Sequence, residues 1–284
     1  MPLFRTLMSS IALATTPLAA APPLAGSAGE RLQQLQSQPT LAGVQVYRGQ
    51  VIPLDAHTTA DKQLQDDGPL FTYARHVLRT DDALAASHLT YDPAGALLIE
   101  ERVTMSHSYA FQRMDVANRQ TGHSGSVERS ADGHELHYNW TENGTTRTAT
   151  ETIDHTPLVA GPNLHGTVLR HWDSLHAGQP LRVRLVVPAR LRSYDFNLGL
   201  EAQAHGHNSA STQGPTQRQA VFIATPASLL LRLAVAPLRM VFDTADRTLL
   251  RYEGRVPPMA PGPHGGLKDL DARVLYTPQP QGYQ

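Results

Sequence analysis

The chain has 284 residues, 40% hydrophobic and 17% charged, with a formal net charge of -1 and a pI near 6.9. That balance gives no reason to expect nucleic acid or an anionic membrane surface as a partner. Cysteine is absent, which excludes a disulfide framework, a thiolate metal site and a cysteine nucleophile.

Residues 1–28 carry the layout of a secretory signal peptide: Arg5, an apolar run over 7–20, then small residues through Ala28. Cleavage is expected after Ala21 or after Ala28, since Pro22 hinders the first of these. Without cysteine, a lipoprotein anchor is excluded. No later stretch reaches the ~18 apolar residues of a membrane helix, so the mature chain is expected to be periplasmic, with no transmembrane segment.

Residues 29–68 read as a loosely packed lead-in with a short strand over 43–48. From 69 to 256 the pattern becomes that of a single antiparallel β domain. Phe71, Tyr73 and Val77 share one face of a first strand. Asp92-Pro93-Ala94-Gly95 turns the chain between two strands, as does Ala131-Asp132-Gly133. Asn143-Gly144 is a type I′ hairpin signal, because both residues tolerate positive φ. Between Gly161 and Gly178, residues Leu164, Val168, Leu169, Trp172 and Leu175 recur at helical spacing and predict one amphipathic helix of about four turns. Asn163 would cap its start and Gly178 its end.

Strands resume at 181–187, where arginines alternate with apolar residues, and continue at 190–200 and 217–224. Residues 229–235 fit a short helix or a buried strand equally. A hairpin closes the domain around 241–254, echoing the one at 89–98. Residues 257–284 are rich in proline and glycine and read as a tail without packed structure. The fold class is therefore mainly β: an antiparallel curved sheet or half-barrel, or alternatively a β-sandwich, with one packed helix.

Chemistry-bearing motifs are weak. There are 14 histidines, but His205 and His207 are the sole close pair on one side of an extended segment. His165, His171 and His176 do not align on the predicted helix, and His134 and His137 face opposite ways on a strand. Scattered surface histidines and no metal site are expected. Gly122-His123-Ser124-Gly125-Ser126 lacks the spacing of a nucleophile elbow and reads as a glycine-serine loop. The adjacent pairs Asp66-Asp67, Asp81-Asp82 and Glu100-Glu101 read as solvated turns and strand edges. Trp172 is expected to anchor the helix on the sheet, with Asp173 and His176 paired on its surface. Phosphate-binding glycine loops are absent, and no cofactor is expected.

The elements Phe71-Thr72-Tyr73, Tyr91-Asp92-Pro93-Ala94-Gly95, Gly125-Ser126-Val127-Glu128-Arg129, His171-Trp172-Asp173, Leu181-Arg182-Val183-Arg184, Val241-Phe242-Asp243 and Tyr252-Glu253-Gly254 together resemble a family of uncharacterised exported bacterial proteins. Their order is more distantly similar to the half-barrel lipoprotein-localisation factors, which hold acyl chains. The resemblance implies an antiparallel sheet curled around a helix and carries over no functional residue.

The expected function is a non-enzymatic periplasmic protein that binds an apolar or lipid-like ligand or an envelope protein. Tyr73, Phe111, Trp140, Trp172, Phe196, Phe222 and Phe242 are the candidate pocket or core residues. The alternatives are a hydrolase whose polar groups converge only in three dimensions, and a structural or assembly factor without a pocket.

Overall fold

A computed structural model describes residues 45–54, 68–201, 219–262 and 265–277. The strands are β1 (Gln45–Pro53), β2 (Phe71–Arg79), β3 (Leu84–Tyr91), β4 (Leu97–Met105), β5 (Phe111–Asn118), β6 (His123–Arg129), β7 (Glu135–Glu142) and β8 (Thr145–Thr152). They continue with β9 (Leu158–Val159), β10 (Leu181–Val187), β11 (Arg192–Leu200), β12 (Gln219–Pro226), β13 (Leu238–Asp243), β14 (Leu249–Pro261) and β15 (Leu267–Thr277). All 15 belong to one curved open sheet, in the order β8 to β1 and then β15 to β9. One sheet, not two stacked ones, is present among the described residues, so the sandwich alternative does not apply.

The first described strand lies in the middle of the sheet. β1 pairs with β2 on one side and with β15 on the other. From β2 a meander runs outward to the edge at β8, built by tight local turns. Asn143 and Gly144 have φ of 51° and 73°, the positive values that a type I′ turn demands. The chain then passes to the opposite edge, where β9 makes a parallel pairing with β10. A second meander returns inward to β15.

Two expectations need correction. The lead-in contains a strand longer than expected, and it is the innermost one. The tail beyond 256 is also structured, since β14 runs to Pro261 and β15 spans Leu267–Thr277. The register of β14 shifts between Val256 and Ala260, so Pro257 and Pro258 fall where the ladder is already interrupted.

A 3-10 turn (Gly161–Asn163) leads into helix α1 (Leu164–Arg170), and α2 (Trp172–His176) follows directly. The single predicted rod is thus broken at His171, whose ψ of 18° lies outside the helical range. Gly178, at φ 81°, ends α2 as expected, donating its N–H to the Leu175 carbonyl. Residues 229–235, ambiguous by pattern, form the short helix α3 (Leu229–Ala234).

The helices lie on one half of the concave face. Leu164, Val168, Trp172 and Leu175 pack with Val183, Phe196, Leu198, Phe222, Met240 and Phe242 in one buried cluster. A second cluster joins β3–β7 to β9 and β10 through Met114, Leu136, Tyr138, Leu158 and Val186, so the sheet has rolled its far strands towards each other. A third lies over β1, β2, β14 and β15. Near its open end the roll is fastened by Gln120, whose amide donates to the Met259 carbonyl at 2.8 Å and accepts from the Met259 N–H at 2.9 Å.

Glu151 on β8 fastens the other end. Its carboxylate accepts the Tyr138 hydroxyl at 2.7 Å, the Ser193 N–H at 2.8 Å and the Ser193 hydroxyl at 2.8 Å. Burial and this bond push the Tyr138 phenol above its ordinary pKa, so it remains a donor. Hydrogen bonds to a charged acceptor are worth more than neutral ones, and removing it leaves partly buried donors unsatisfied. Glu151→Ala is therefore expected to cost about 2 kcal/mol and Glu151→Gln about half of that, read from urea denaturation midpoints. A loss within error for both would mean that the seam between β8 and β11 carries no stability.

Candidate functional site

Register dictates what gathers on the concave face. Arg75 on β2 stands opposite His88 on β3, which stands opposite Glu101 on β4. In the adjacent row, Tyr73 stands opposite Thr90, and Thr90 opposite Ile99. Residues paired across strands point to the same side, so this places a polar row on the buried inner face of the sheet. Tyr73 and Thr90 are each 1% exposed, Arg75 6% and Glu101 8%.

The contacts are close. His88 Nδ1 lies 3.7 Å from Glu101 Oε2, and the Tyr73 ring meets the imidazole edge-on at 4.4 Å between centroids. Gly49 of β1 allows Tyr73 and Tyr276 to close over it, because a Cβ there would sit 3.1 Å from each of them and 2.9 Å from Val274. The 3-10 turn covers the other end of the row, where a Cβ on Gly161 would sit 3.5 Å and 3.6 Å from the Glu101 carboxylate oxygens. His165 of α1 is buried and stacks on Phe242 at 5.7 Å.

Electrostatics follow from this burial. The Tyr73 phenol is pushed well above its ordinary pKa by desolvation, then by Tyr276, Glu101 and Tyr252, with Thr90 opposing. It is a hydrogen-bonding group at any physiological pH, not a base. His165 is pushed well below the usual imidazole range by burial and by the nearby Arg75 charge, and so is neutral. Several buried side-chain atoms make no hydrogen bond of good geometry, among them His88 Nε2 and the Tyr73 hydroxyl, the latter with Thr90 beside it. Each such group costs about 1–3 kcal/mol while it stays unsatisfied.

The seven predicted aromatics are all buried, but in four different places. Trp172, Phe196, Phe222 and Phe242 meet in the cluster under the helices. Phe111 belongs to the second cluster, with Met105 and Met114. Tyr73 belongs to the third and alone among the seven enters the polar row. Trp140 lies against Gly125, where a Cβ would come within 2.5 Å of the indole, and its ring meets His123 at 5.9 Å. The supposed glycine-serine loop is thus the start of β6, and Gly125 is the space for Trp140.

Other assignments change as well. Glu101 is buried, whereas Asp81 and Asp82 are exposed as expected. Asp66 and Asp67, with His205 and His207, lie outside the described residues. The histidines are not uniformly superficial, since His165 is 8% exposed and the side chain of His88 13%. Among the described residues, no three His, Asp or Glu side chains gather in metal-ligand range. Asp173 pairs with Arg247 at 3.1 Å, and His176 stacks on Trp172 instead.

Sequence reasoning missed Arg75, His88 and Glu101. One signal was present: Arg75 interrupts the apolar face formed by Phe71, Tyr73 and Val77. No match was found among family models, curated proteins or solved structures.

Proposed function

We propose that this is an exported, non-enzymatic periplasmic protein that binds a lipid-like amphiphile. The apolar side chains of the inner face take the hydrocarbon. Tyr73 and His88, with Glu101 and Arg75 beside them, take the polar end. The observation that carries this reading is His88 Nε2, a buried polar atom without a hydrogen-bond partner, next to the buried Tyr73 hydroxyl on the apolar inner face. Polar groups in such positions fix the orientation of a ligand whose remaining surface is apolar.

Titration of delipidated protein with a fluorescent long-chain fatty acid tests it. Saturable binding with one site per chain is expected, weakened about tenfold in Tyr73→Phe, as loss of one buried hydrogen bond predicts. Unsaturable binding, or equal affinity in the variant, would remove the basis for this reading.

The His88–Glu101 contact favours a second reading, a hydrolase in which Glu101 orients His88 as a base. Turnover of chromogenic esters that disappears in His88→Gln would support it over carriage.

A further inference from the structure

Helix α3 joins β12 to β13 and presents an unusual surface. Leu229, Leu230 and Leu233 are 75%, 81% and 88% exposed. Their spacing of i, i+1 and i+4 puts them on one side of the turn, while Leu231 and Val235 pack into the core cluster behind them. The element is held firmly: Arg232 N–H donates to the Ser228 carbonyl, and Arg232 Nε donates to the Pro226 carbonyl at 2.7 Å. Three leucines are therefore held in water by the fold itself.

On α3 itself the one charged residue is Arg232. Arg239 is matched by Glu201 at 2.7 Å. Arg232 is exposed and has no carboxylate within ion-pair distance among the described residues. Helix α3 is therefore a leucine-tipped projection with one unmatched positive charge among the described residues.

A protein partner fits it poorly. Three leucine side chains supply far less than the ~800 Å² per partner that a stable complex buries. A bilayer needs no complementary shape: leucines enter the boundary between headgroups and acyl chains, and an arginine beside them reaches the phosphates. We propose that α3 is a docking element for an anionic lipid surface, with Leu229, Leu230 and Leu233 inserted and Arg232 paired with lipid phosphate. This attachment goes beyond the binding of an amphiphile on the inner face and does not depend on it.

Co-sedimentation with vesicles tests it, using phosphatidylethanolamine with phosphatidylglycerol against phosphatidylcholine alone. The wild type should sediment with the anionic vesicles and be released by salt. The triple variant Leu229→Ser, Leu230→Ser, Leu233→Ser should lose at least about tenfold in partitioning, since buried apolar area drives insertion. Arg232→Gln should lose a few-fold on anionic vesicles only. Both variants should keep the wild-type fatty-acid titration, and the triple variant the wild-type melting temperature, which separates this proposal from the binding of an amphiphile. A wild type that stays in the supernatant overturns it. So does a triple variant that sediments equally, or light scattering that shows the leucines holding two copies together.

Discussion

Trp172→Ala is expected to destabilise the protein by about 3–5 kcal/mol, the range for deleting a buried large aromatic. The side chain is 5% exposed and joins three elements at once. From α2 it meets Phe222 of β12 at 5.2 Å and Phe242 of β13 at 5.5 Å, both edge-on, and those two rings meet each other at 5.7 Å. Edge-to-face pairs add to the burial itself, so a cavity here loses dispersion and quadrupole terms together. Its outer face is covered by the His176 ring at 5.9 Å and by the Arg247 guanidinium, 5.2 Å from the ring centroid. Arg247 is held in turn by Asp173. Arg247→Ala should cost under about 1 kcal/mol, since a partly exposed cation over a ring contributes little. Urea denaturation gives both values. A Trp172→Ala loss below about 1 kcal/mol would mean that the helices are not fastened to the sheet through this ring.

The local parts of this fold were legible because their causes are local. Asn143-Gly144, the turn ending at Gly95 and the stop at Gly178 each need only the conformational freedom of one or two residues. What was not legible depends on partners far along the chain. Nothing in 45–53 indicates that this strand is innermost, because its place comes from β15, more than two hundred residues later. Prolines at 257, 258 and 261 argue against a strand, yet β14 tolerates them. Its pairing with β13 ends at Glu253, so beyond that point one edge needs no regular N–H donors, and Gln120 satisfies Met259 individually.

The site divides in the same way. Tyr73 was recognisable as an inward residue from the alternation of β2. Arg75 was visible as a charge on the apolar parity, but its meaning requires knowing what stands opposite. His88 and Glu101 become a row with it only through the registers of β2 on β3 and β3 on β4, and a slip of one residue would turn all three outward. Glu101 is also masked by Glu100, whose carboxylate serves Arg102 at 2.8 Å at the surface. The seven aromatics are all buried, but composition cannot say which of them share a cluster.

Acid should weaken the protein well before its carboxylates titrate. His76, on the face of β2 opposite Tyr73, is pushed down to about 4 by burial, with Glu100 opposing. His165 is pushed well below its usual value by burial and then by Arg75, and His171 more modestly by burial and Arg170. In each case the unfolded chain takes up a proton near pH 6.5 that the folded chain refuses. Stability is therefore fully present above pH 6.5 and falls as the pH drops towards the folded value. For His76 the gap between 6.5 and about 4 corresponds to about 3 kcal/mol. Asp195, held below the usual carboxylate range by Arg182, keeps its contribution throughout this window and loses it only at lower pH. Urea titrations stepped from pH 7 to pH 4 should show the wild type losing several kcal/mol, and His76→Leu losing about 3 kcal/mol less. The substitution also removes a buried ring nitrogen without a hydrogen-bond partner, so the variant should be no less stable at pH 7 by that account. A wild type whose stability is level between pH 7 and pH 5 would show that these imidazoles accept protons in the folded chain, and that the sheet around β2 is wetter than its packing implies.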